Sequence, residues 1–372
     1  RLSWTVEVHC TSRFEEAVSE ALFVTRLSSQ SRRREMTLRV LPVMLLAIGC
    51  VCASGFVSPL PSSSAVSRQS LLHRGRRRLD SHGLNSIALT ESFVEDDSQW
   101  SGRDLLIVDT HVHIWSDGTG KFPYAEGLAP PENLQKDSDA DGLLKRMGLA
   151  NVGGALIVQP ACHLFDHSFV KEAIDARPEV FKGMCLANPS HQTTEESLSE
   201  LRQRKEEGFV ACRFNPALFK KFCGDEGMRA ERCKELYREC GESSVSMPVG
   251  FMCMDGLAKH AESLDALMTL YPQTIALIDH LGFFRQDGRV DEDSFNALLT
   301  LLKRHPQLKV KASALFRVSG EDFPFSDVKE RFVKLLDTAG AQRVMTGSDW
   351  PWAEQKGAER DLSRYGDSFG AL

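Results

Sequence analysis

The chain lacks the features that mark nucleic-acid-binding, disulfide-linked or membrane-spanning proteins. Its 45 basic and 51 acidic residues give a net charge of −6, so no basic excess favours nucleic acid as a partner. Its ten cysteines include no CxxC pair and no regular spacing, and we interpret the seven from Cys162 onward as reduced and structural. A hydrophobic content of 42% and a charged content of 26% are typical of a globular protein.

The first hundred residues have the composition of targeting sequence. The chain begins at Arg1, and we assign no function to residues 1–35, which precede the first methionine, Met36. Residues 36–55 contain a basic flank, an apolar run too short for a comfortable membrane span, and small residues, which is the order found in signal peptides. Residues 56–103 follow, and their first part is rich in arginine and serine and free of acidic residues, as in organelle transit peptides.

A signal segment followed by a transit segment predicts delivery to a plastid. The junction Ala53-Ser54-Gly55-Phe56-Val57-Ser58-Pro59 resembles the cleavage motif of plastid precursors in algae with secondary plastids. The alternatives are a secretory signal followed by a basic linker, which predicts secretion, and a cytoplasmic location. In each case we expect that the mature protein is not embedded in a membrane.

From residue 104 onward, short β-branched runs alternate with longer segments of helical periodicity, which indicates βαβ units. The eight strand candidates are Leu105–Asp109, Ala155–Gln159, Phe181–Leu186, Phe209–Phe214, Pro248–Met252, Ile275–Asp279, Leu308–Ala312 and Arg343–Thr346. Their nearly continuous apolar character favours parallel strands covered on both faces. Helical patterns lie between them, for example over Thr193–Glu206, Gly227–Cys240 and Gly256–Leu270. The sequence predicts a (β/α)₈ TIM barrel over residues 104–372, with an eighth helix that is short and irregular or incomplete.

Polar side chains follow three of the predicted strands at the barrel end that carries active sites. His111 and His113 follow strand one, and their spacing places both imidazoles on one side of the strand, about 6–7 Å apart. His280 follows strand six and Asp349 follows strand eight. Taken singly, a core histidine or a turn aspartate would explain each of them. Their joint placement predicts a catalytic centre.

Six segments, in this order, resemble the amidohydrolase-related family, and within it the branch of lactonases and 2-pyrone-4,6-dicarboxylate hydrolases. They are Val108–His113, Val158–Pro160, Cys212–Asn215, Asp279–Gly282, Ala312–Arg317 and Gly347–Pro351. The resemblance implies a barrel of the metallo-dependent-hydrolase type. It also implies hydrolytic opening of a lactone, or of a related ester or amide, with the strand-eight aspartate handling water.

The residue types suit that chemistry. A carboxylate within hydrogen-bond reach of water can take its proton during attack, and Asp349 is the expected general base. The expected role of His111, His113 and His280 is to polarise the carbonyl and stabilise the developing oxyanion, either directly or through a bound cation.

Two arginines predict an anionic substrate. Arg213 ends strand four and Arg317 lies just beyond strand seven, where a guanidinium could bind a substrate carboxylate. A salt bridge that pins a loop is the alternative for each. The resemblance to the family's substrate-binding positions favours binding, and Gln159, Ser348 and Trp115 are further expected substrate contacts. The predicted partner is a small carboxylated molecule.

Strand five bears on metal dependence. Metal-dependent members of the family generally carry another ligand there, commonly histidine, whereas Pro248–Cys253 contains none. Cys253 could ligate zinc, but we interpret it as a buried apolar cysteine. We therefore expect that no metal is required. Zinc or manganese, if bound, would use His111, His113, His280 and Asp349, since a catalytic zinc needs only three protein ligands.

Two other functions compete with the lactonase hypothesis. One is a metal-dependent decarboxylase, which the same broad superfamily contains and which the missing strand-five histidine disfavours. The other is a barrel that has lost catalysis and serves as a binding protein. The presence of all four candidate catalytic residues argues against it.

Overall fold

The structure is a computed structural model that describes residues 107–356 and 359–370. The upstream segment (residues 1–35), the signal-like segment (36–55) and the transit segment (56–103) lie outside the described residues. Among the described residues, no helix has both the length and the apolar character needed to cross a bilayer.

Eight parallel strands follow one another around a single sheet, and the predicted barrel is confirmed. The strands are β1 Val108–Val112, β2 Gly154–Val158, β3 Phe181–Leu186, β4 Phe209–Phe214, β5 Val249–Phe251, β6 Ala276–Ile278, β9 Leu308–Ser313 and β10 Val344–Gly347. Two short antiparallel hairpins lie outside the barrel sheet. They are β7 Arg285–Gln286 with β8 Arg289–Val290, and β11 Gln355–Lys356 with β12 Glu359–Arg360.

Helices connect the successive strands, as a parallel sheet requires. They are α1 Glu132–Gln135, α2 Ala140–Ala150, α3 Ser168–Ala176, α4 Thr194–Glu206, α5 Pro216–Cys223, α6 Glu231–Gly241, α7 Ala261–Leu270, α8 Glu292–Arg304, α9 Leu315–Val318, α10 Lys329–Ala339 and α11 Arg364–Gly370. Helix α11 follows the last barrel strand and is short, as the sequence predicts for the eighth helix.

Local sequence fixes where several helices begin. Thr193 and Glu196 form a capping box at the start of α4, in which each side chain binds the other's backbone N–H. The Asp139 and Asp291 side chains accept backbone hydrogen bonds at the starts of α2 and α8. These caps satisfy N–H groups that have no partner within the helix.

The barrel closes between its first strand and the residues that follow its last. The backbone N–H of Asp349 donates to the carbonyl of His111 at 2.8 Å, and the N–H of His113 donates to the carbonyl of Trp350 at 2.6 Å. A parallel bridge joins Val112 to Trp350. The closing contacts therefore involve the same backbone that carries three of the predicted catalytic side chains.

Two apolar layers support the barrel. The larger lies between the strands and the surrounding helices, and a smaller one fills the interior with Leu156, Val158, Met184, Val210, Ala211, Leu277 and Met345. This inner layer fills the interior of the barrel. The polar residues of the predicted site lie beyond it, at the C-terminal ends of the strands.

The observed strand ends agree closely with the prediction. Strands β3 and β4 coincide with their predicted ranges, and the other strands after β1 differ by one residue at one or both ends. Strand β1 continues to Val112, beyond the predicted Asp109, so His111 lies within the strand and His113 follows it directly.

Candidate active site

Three histidines surround one oxygen of a single carboxylate at the C-terminal end of the barrel. The Nε2 atoms of His113, His111 and His280 lie 3.4, 3.8 and 3.9 Å from Oδ1 of Asp349. All four side chains are buried. Strand β1 and the residue after it supply the first two, and the turns after β6 and β10 supply the others. The structure therefore brings together the four residues predicted as catalytic.

The backbone is unusual at two of these residues. Asp349 has φ +60° and His280 has φ +52°, which is the left-handed region that non-glycine residues rarely adopt. The turn after β10 is held in place because the backbone N–H of Asp349 donates to the carbonyl of His111 on β1. Such conformations cost free energy and concentrate at functional sites. Here they aim both side chains inward.

The ring orientations of two histidines are fixed through their Nδ1 atoms. His113 Nδ1 lies 2.8 Å from the carbonyl oxygen of Val158 and donates to it, since a carbonyl only accepts. His280 Nδ1 forms a 2.9 Å hydrogen bond with the hydroxyl of Ser313. Both Nε2 atoms are thereby directed towards Asp349.

Two buried charged residues next to His111 were not predicted from the sequence. Lys311, on β9, is fully buried, and its Nζ lies 3.4 Å from Oδ1 of Asp279 and 3.4 Å from Nδ1 of His111. Asp279 is also 3.3 Å from Nε of Arg213. The sequence did contain a signal. A lysine inside a strand covered on both faces is rare unless a charged partner is buried with it.

These contacts keep both carboxylates ionised. Burial alone would raise the pKa of Asp349, but the Arg317 guanidinium and the nearby histidines hold it well below its ordinary value. Burial opposes ionisation of Asp279 in the same way, and Lys311, His111 and Arg213 together hold its pKa well below its usual range.

Two of the histidines are neutral at ordinary pH. Burial lowers the pKa of His280 to about 4, although the carboxylates of Asp349 and Asp279 act against that effect. Burial also lowers the pKa of His111 well below 6.5, and the nearby Lys311 lowers it further. A neutral imidazole has one N–H donor and one acceptor nitrogen, so each ring has a definite polarity.

The two predicted substrate-binding arginines are placed differently. Arg317 donates from Nε to Oδ2 of Asp349 at 2.8 Å, and its guanidinium also lies over the ring of Trp352. Arg213 is 5% exposed, and its Nε has no hydrogen-bond partner among the described residues. Arg317 therefore contacts Asp349, whereas Nε of Arg213 faces Oδ2 of Asp279 at 3.3 Å.

The other three predicted substrate contacts bind within the protein. The Ser348 hydroxyl donates to Asp109 at 2.6 Å, and the indole N–H of Trp115 donates to the carbonyl of Leu134 at 2.8 Å. The Gln159 side-chain amide nitrogen donates to two loop carbonyls, while its Oε1 is buried without a hydrogen-bond partner among the described residues. Of these three, only Gln159 has an unused polar atom.

His111, His280 and Asp349 form a set that could hold a metal ion. One ligand atom from each lies within 4.8 Å of the others, and Nε2 of His111 is buried without a hydrogen-bond partner among the described residues. Two nitrogens and an oxygen suit zinc. The donor atoms therefore fit a metal, although cationic side chains contact both His111 and Asp349.

Strand five adds no ligand to this set. A Cβ on Gly250 would lie 3.7 Å from Oδ1 of Asp279 but only 2.4 Å from the methyl group of Met184, so the methionine fills that space. Cys253 is fully buried in the larger apolar core. This agrees with its interpretation as a buried apolar cysteine.

The fold and this cluster define a (β/α)₈ barrel with a histidine–aspartate centre at the C-terminal ends of its strands. The family model described as amidohydrolase matches residues 108–367, and the chain belongs to this family. No curated protein matches the chain in sequence.

Solved structures share the fold at low sequence identity. A protein of Acinetobacter baumannii, assigned as a 2-pyrone-4,6-dicarboxylic acid hydrolase and solved with citric acid bound, is 18% identical with a TM-score of 0.56, covering 71% of this chain and 90% of its own. An amidohydrolase of Burkholderia multivorans with bound zinc is 16% identical, with a TM-score of 0.53 and coverages of 71% and 90%. The 2,6-dihydroxybenzoate decarboxylase of Rhizobium is 14% identical, with a TM-score of 0.50 and coverages of 71% and 91%.

Proposed function

We propose that the protein is a metal-independent hydrolase that opens a lactone, or a related ester or amide, of a small carboxylated substrate. The observation that carries this proposal is the convergence of three histidine Nε2 atoms on one oxygen of Asp349, with Arg213 beside them. A base, hydrogen-bonding groups for an oxyanion and a cation for a substrate carboxylate are thus present in one buried site.

Asp349 removes a proton from water as the water oxygen attacks the carbonyl carbon. It is ionised at all ordinary pH values, because Arg317 and the histidines stabilise its charge. Its low pKa makes it a weak base, so the reaction depends on placing water close to Oδ1 and on stabilising the oxyanion that forms. When the tetrahedral intermediate collapses, the ring C–O bond breaks and Asp349 returns the proton to the leaving oxygen.

The substrate's carboxylate binds to Arg213. The two carboxylates that face the histidines, Asp349 and Asp279, are surrounded by three cationic side chains, Arg213, Arg317 and Lys311. Arg213 and Arg317 place positive charge at the site for an anionic ligand. The citric acid in the Acinetobacter baumannii structure is also a carboxylated molecule.

The same charges support metal-independent chemistry. A bound zinc or manganese ion would be held by His111, His280 and Asp349, and it would polarise the carbonyl and acidify water. A divalent cation would have to enter beside Lys311 and Arg317, which already contact His111 and Asp349. Their repulsion weakens such binding.

The experiment is a hydrolysis screen with a base-deficient variant. The full chain is assayed against sugar lactones, muconolactones and pyrone carboxylates, and the best substrate is then given to Asp349→Asn. We expect kcat/KM to fall by about 10²–10⁴-fold, because the amide cannot take the proton. Asp337→Asn, which changes an exposed aspartate on α10, is the matched control and keeps full activity. A loss below about tenfold would assign proton transfer to another residue.

A metal-dependent decarboxylase is the second candidate, and the three-residue donor set favours it. The Rhizobium decarboxylase shows that the fold accommodates this activity in another protein. Release of carbon dioxide from aromatic carboxylates, dependent on added zinc or manganese and absent after chelation, would favour this candidate over the hydrolase.

A further inference from the structure

Strand β5 leads to an inward side chain that the proposed chemistry does not use. Three side chains of β5 and the residues just after it belong to the larger apolar core, outside the barrel strands: Val249, Phe251 and Cys253. Because side chains alternate along an extended chain, Gly250 and Met252 point into the barrel. The extended pairing reaches Met252, since its backbone N–H donates to the carbonyl of Phe214 on β4 at 3.2 Å.

Met252 is partly exposed, although the charged residues beside it are buried. The register pairs Phe251 with Ile278, so Met252 comes level with Asp279, which follows β6. Arg213 pairs with Gly250 on the other side. Because the side chain of Met252 points into the barrel, its exposed part faces the mouth of the site. A ligand in the site can therefore contact it.

The order of the strands places Met252 across the barrel from the reacting groups. Strand β5 is the fifth of eight, so three strands separate it from β1 in either direction around the closed sheet. His111 and His113 come from β1, and Asp349 follows the adjacent strand β10. A substrate whose reacting carbonyl lies at these residues therefore extends its far side towards Met252.

The wall beside Met252 is apolar and is held in place. The side-chain amide nitrogen of Gln286 donates to the carbonyls of Met254 and Phe283 at 3.1 and 3.0 Å, which ties the loop after β5 to the loop after β6. The ring of Phe283 packs edge-on against His280, with centroids 5.0 Å apart. A wall that is ordered before binding costs less conformational entropy when a ligand packs against it.

We propose that Met252 is a specificity-determining residue that contacts a hydrocarbon group on the side of the substrate ring opposite the reacting carbonyl. The preferred substrate is then a carboxylated lactone with an alkyl or aryl substituent at that position. The inference rests on the proposed function for the position of the reacting carbonyl. Methionine suits such a contact because its unbranched, polarisable side chain adapts to apolar groups of different shape.

The test measures binding, so it does not depend on turnover. The full chain is titrated in a calorimeter with cyclohexanone carboxylates, whose ketone can occupy the carbonyl position but has no leaving oxygen. The ring carbon opposite the ketone bears hydrogen, methyl, ethyl or propyl. We expect Kd to fall by about two- to fourfold for each added carbon, since full burial of a methylene gives about fourfold. The same groups on the carbon next to the ketone should have a much smaller effect.

Three variants and a control locate the contact. Met252→Gln keeps the length of the side chain but makes its end polar, and Met252→Ala removes the side chain beyond Cβ. Both should reduce the change in Kd to below about 1.5-fold per carbon, because the apolar contact is lost. Met252→Leu keeps an apolar side chain of similar volume and should retain the dependence. Leu149→Gln, at an 86% exposed position near the end of α2, is the matched control and should bind as the wild-type protein does.

Each outcome bears on one proposal. A wild-type Kd that does not fall with added carbons, or a fall that Met252→Gln and Met252→Ala both retain, would overturn the inference. Loss of the dependence in Met252→Leu as well would assign Met252 to packing and overturn it too. Circular dichroism checks the fold of each variant, and either Met252→Gln or Met252→Ala suffices for the comparison.

The result is also separable from that of the hydrolysis screen. A Kd that depends on Met252 and on carbon number, together with no lactone hydrolysis, would refute the proposed function and leave Met252 as a ligand contact. Lactone hydrolysis without that dependence would refute the role of Met252 alone.

Discussion

Arg317→Met should change the pH dependence of the reaction more than the recognition of the substrate. Arg317 donates to Oδ2 of Asp349 at 2.8 Å and is the strongest of the charges that lower the pKa of this carboxyl. Methionine keeps much of the side-chain length and removes both the charge and the hydrogen bond. The pKa of Asp349 should therefore rise, and its conjugate base should become stronger.

The magnitude follows from the geometry. Removing an arginine within hydrogen-bond reach of an aspartate should move the acidic limb of kcat/KM upward by about one to three pH units. Arg317 is 29% exposed at its side chain, so solvent already screens part of the interaction and we expect the lower end of that range. Anionic and neutral substrates should be affected alike, because the change acts through the base.

Arg213→Met provides the contrast. Arg213 is buried, and the loss of one charge-assisted contact should cost about 1.5–3 kcal/mol, which raises KM by about one to two decades. This increase should occur for an anionic substrate and be much smaller for a neutral analogue. Both variants and the control Arg289→Met, on an exposed hairpin, are assayed from pH 9 down to the lowest pH at which the protein stays folded, with paired charged and neutral lactones.

The opposite result would contradict this division of roles. If Arg317→Met leaves the acidic limb in place and raises KM for charged substrates alone, then Arg317 binds the substrate. Its contact with Asp349 would then have no effect on the base.

Three further outcomes are expected. Exhaustive chelation should leave turnover almost unchanged, and activity that is lost on chelation and restored by zinc or manganese would contradict metal independence. Burial raises the pKa of Asp109 from 3.8 to about 6, so its stabilising contribution is full below pH 3.8 and is lost as the pH rises through 6. Between pH 4 and 7, the free energy of unfolding of Asp109→Asn in urea should therefore rise by roughly 3 kcal/mol relative to that of the wild-type protein. Parallel pH curves for the two proteins would refute this. Gly347→Ala should destabilise the protein by about 1–3 kcal/mol, because its Cβ would lie 2.9 Å from the His111 backbone, whereas Gly148→Ala, with open space in α2, should be neutral or stabilising.

The sequence predicts the strands well because each is a short apolar run bounded by polar segments. The clustering of His111, His113, His280 and Asp349 was also predictable, since residues at the C-terminal ends of parallel strands converge in a closed barrel. The first prediction rests on the periodicity of apolar residues, which is local in the sequence. The second rests on the topology of a closed barrel, which follows from the order of the strands. The catalytic roles of these residues stay predictions.

The hydrogen-bond and ion-pair partners of individual side chains could not be predicted from the sequence pattern. Arg213 and Arg317 look equivalent in the sequence, yet one contacts Asp279 and the other Asp349. The Ser348 hydroxyl could have faced the pocket, but it is bonded to Asp109 across the closure of the barrel. Lys311 lies in a strand that is predicted from its apolar residues, and its buried partners lie on β1 and in the turn after β6. These pairings are set by register between distant strands.

The closure between β1 and the turn after β10 has a consequence for biosynthesis. The backbone N–H of Asp349 bonds to the carbonyl of His111, more than two hundred residues earlier in the chain, so the site joins the two ends of the barrel. While the chain is being synthesised, its first half can form strands and helices but has no base. Contacts between such distant residues form slowly, because the loop between them must be ordered first. The hydrogen bonds that complete the reactive centre also close the two open edges of the sheet. We therefore expect a partly synthesised barrel to be inactive and to have edges open to pairing.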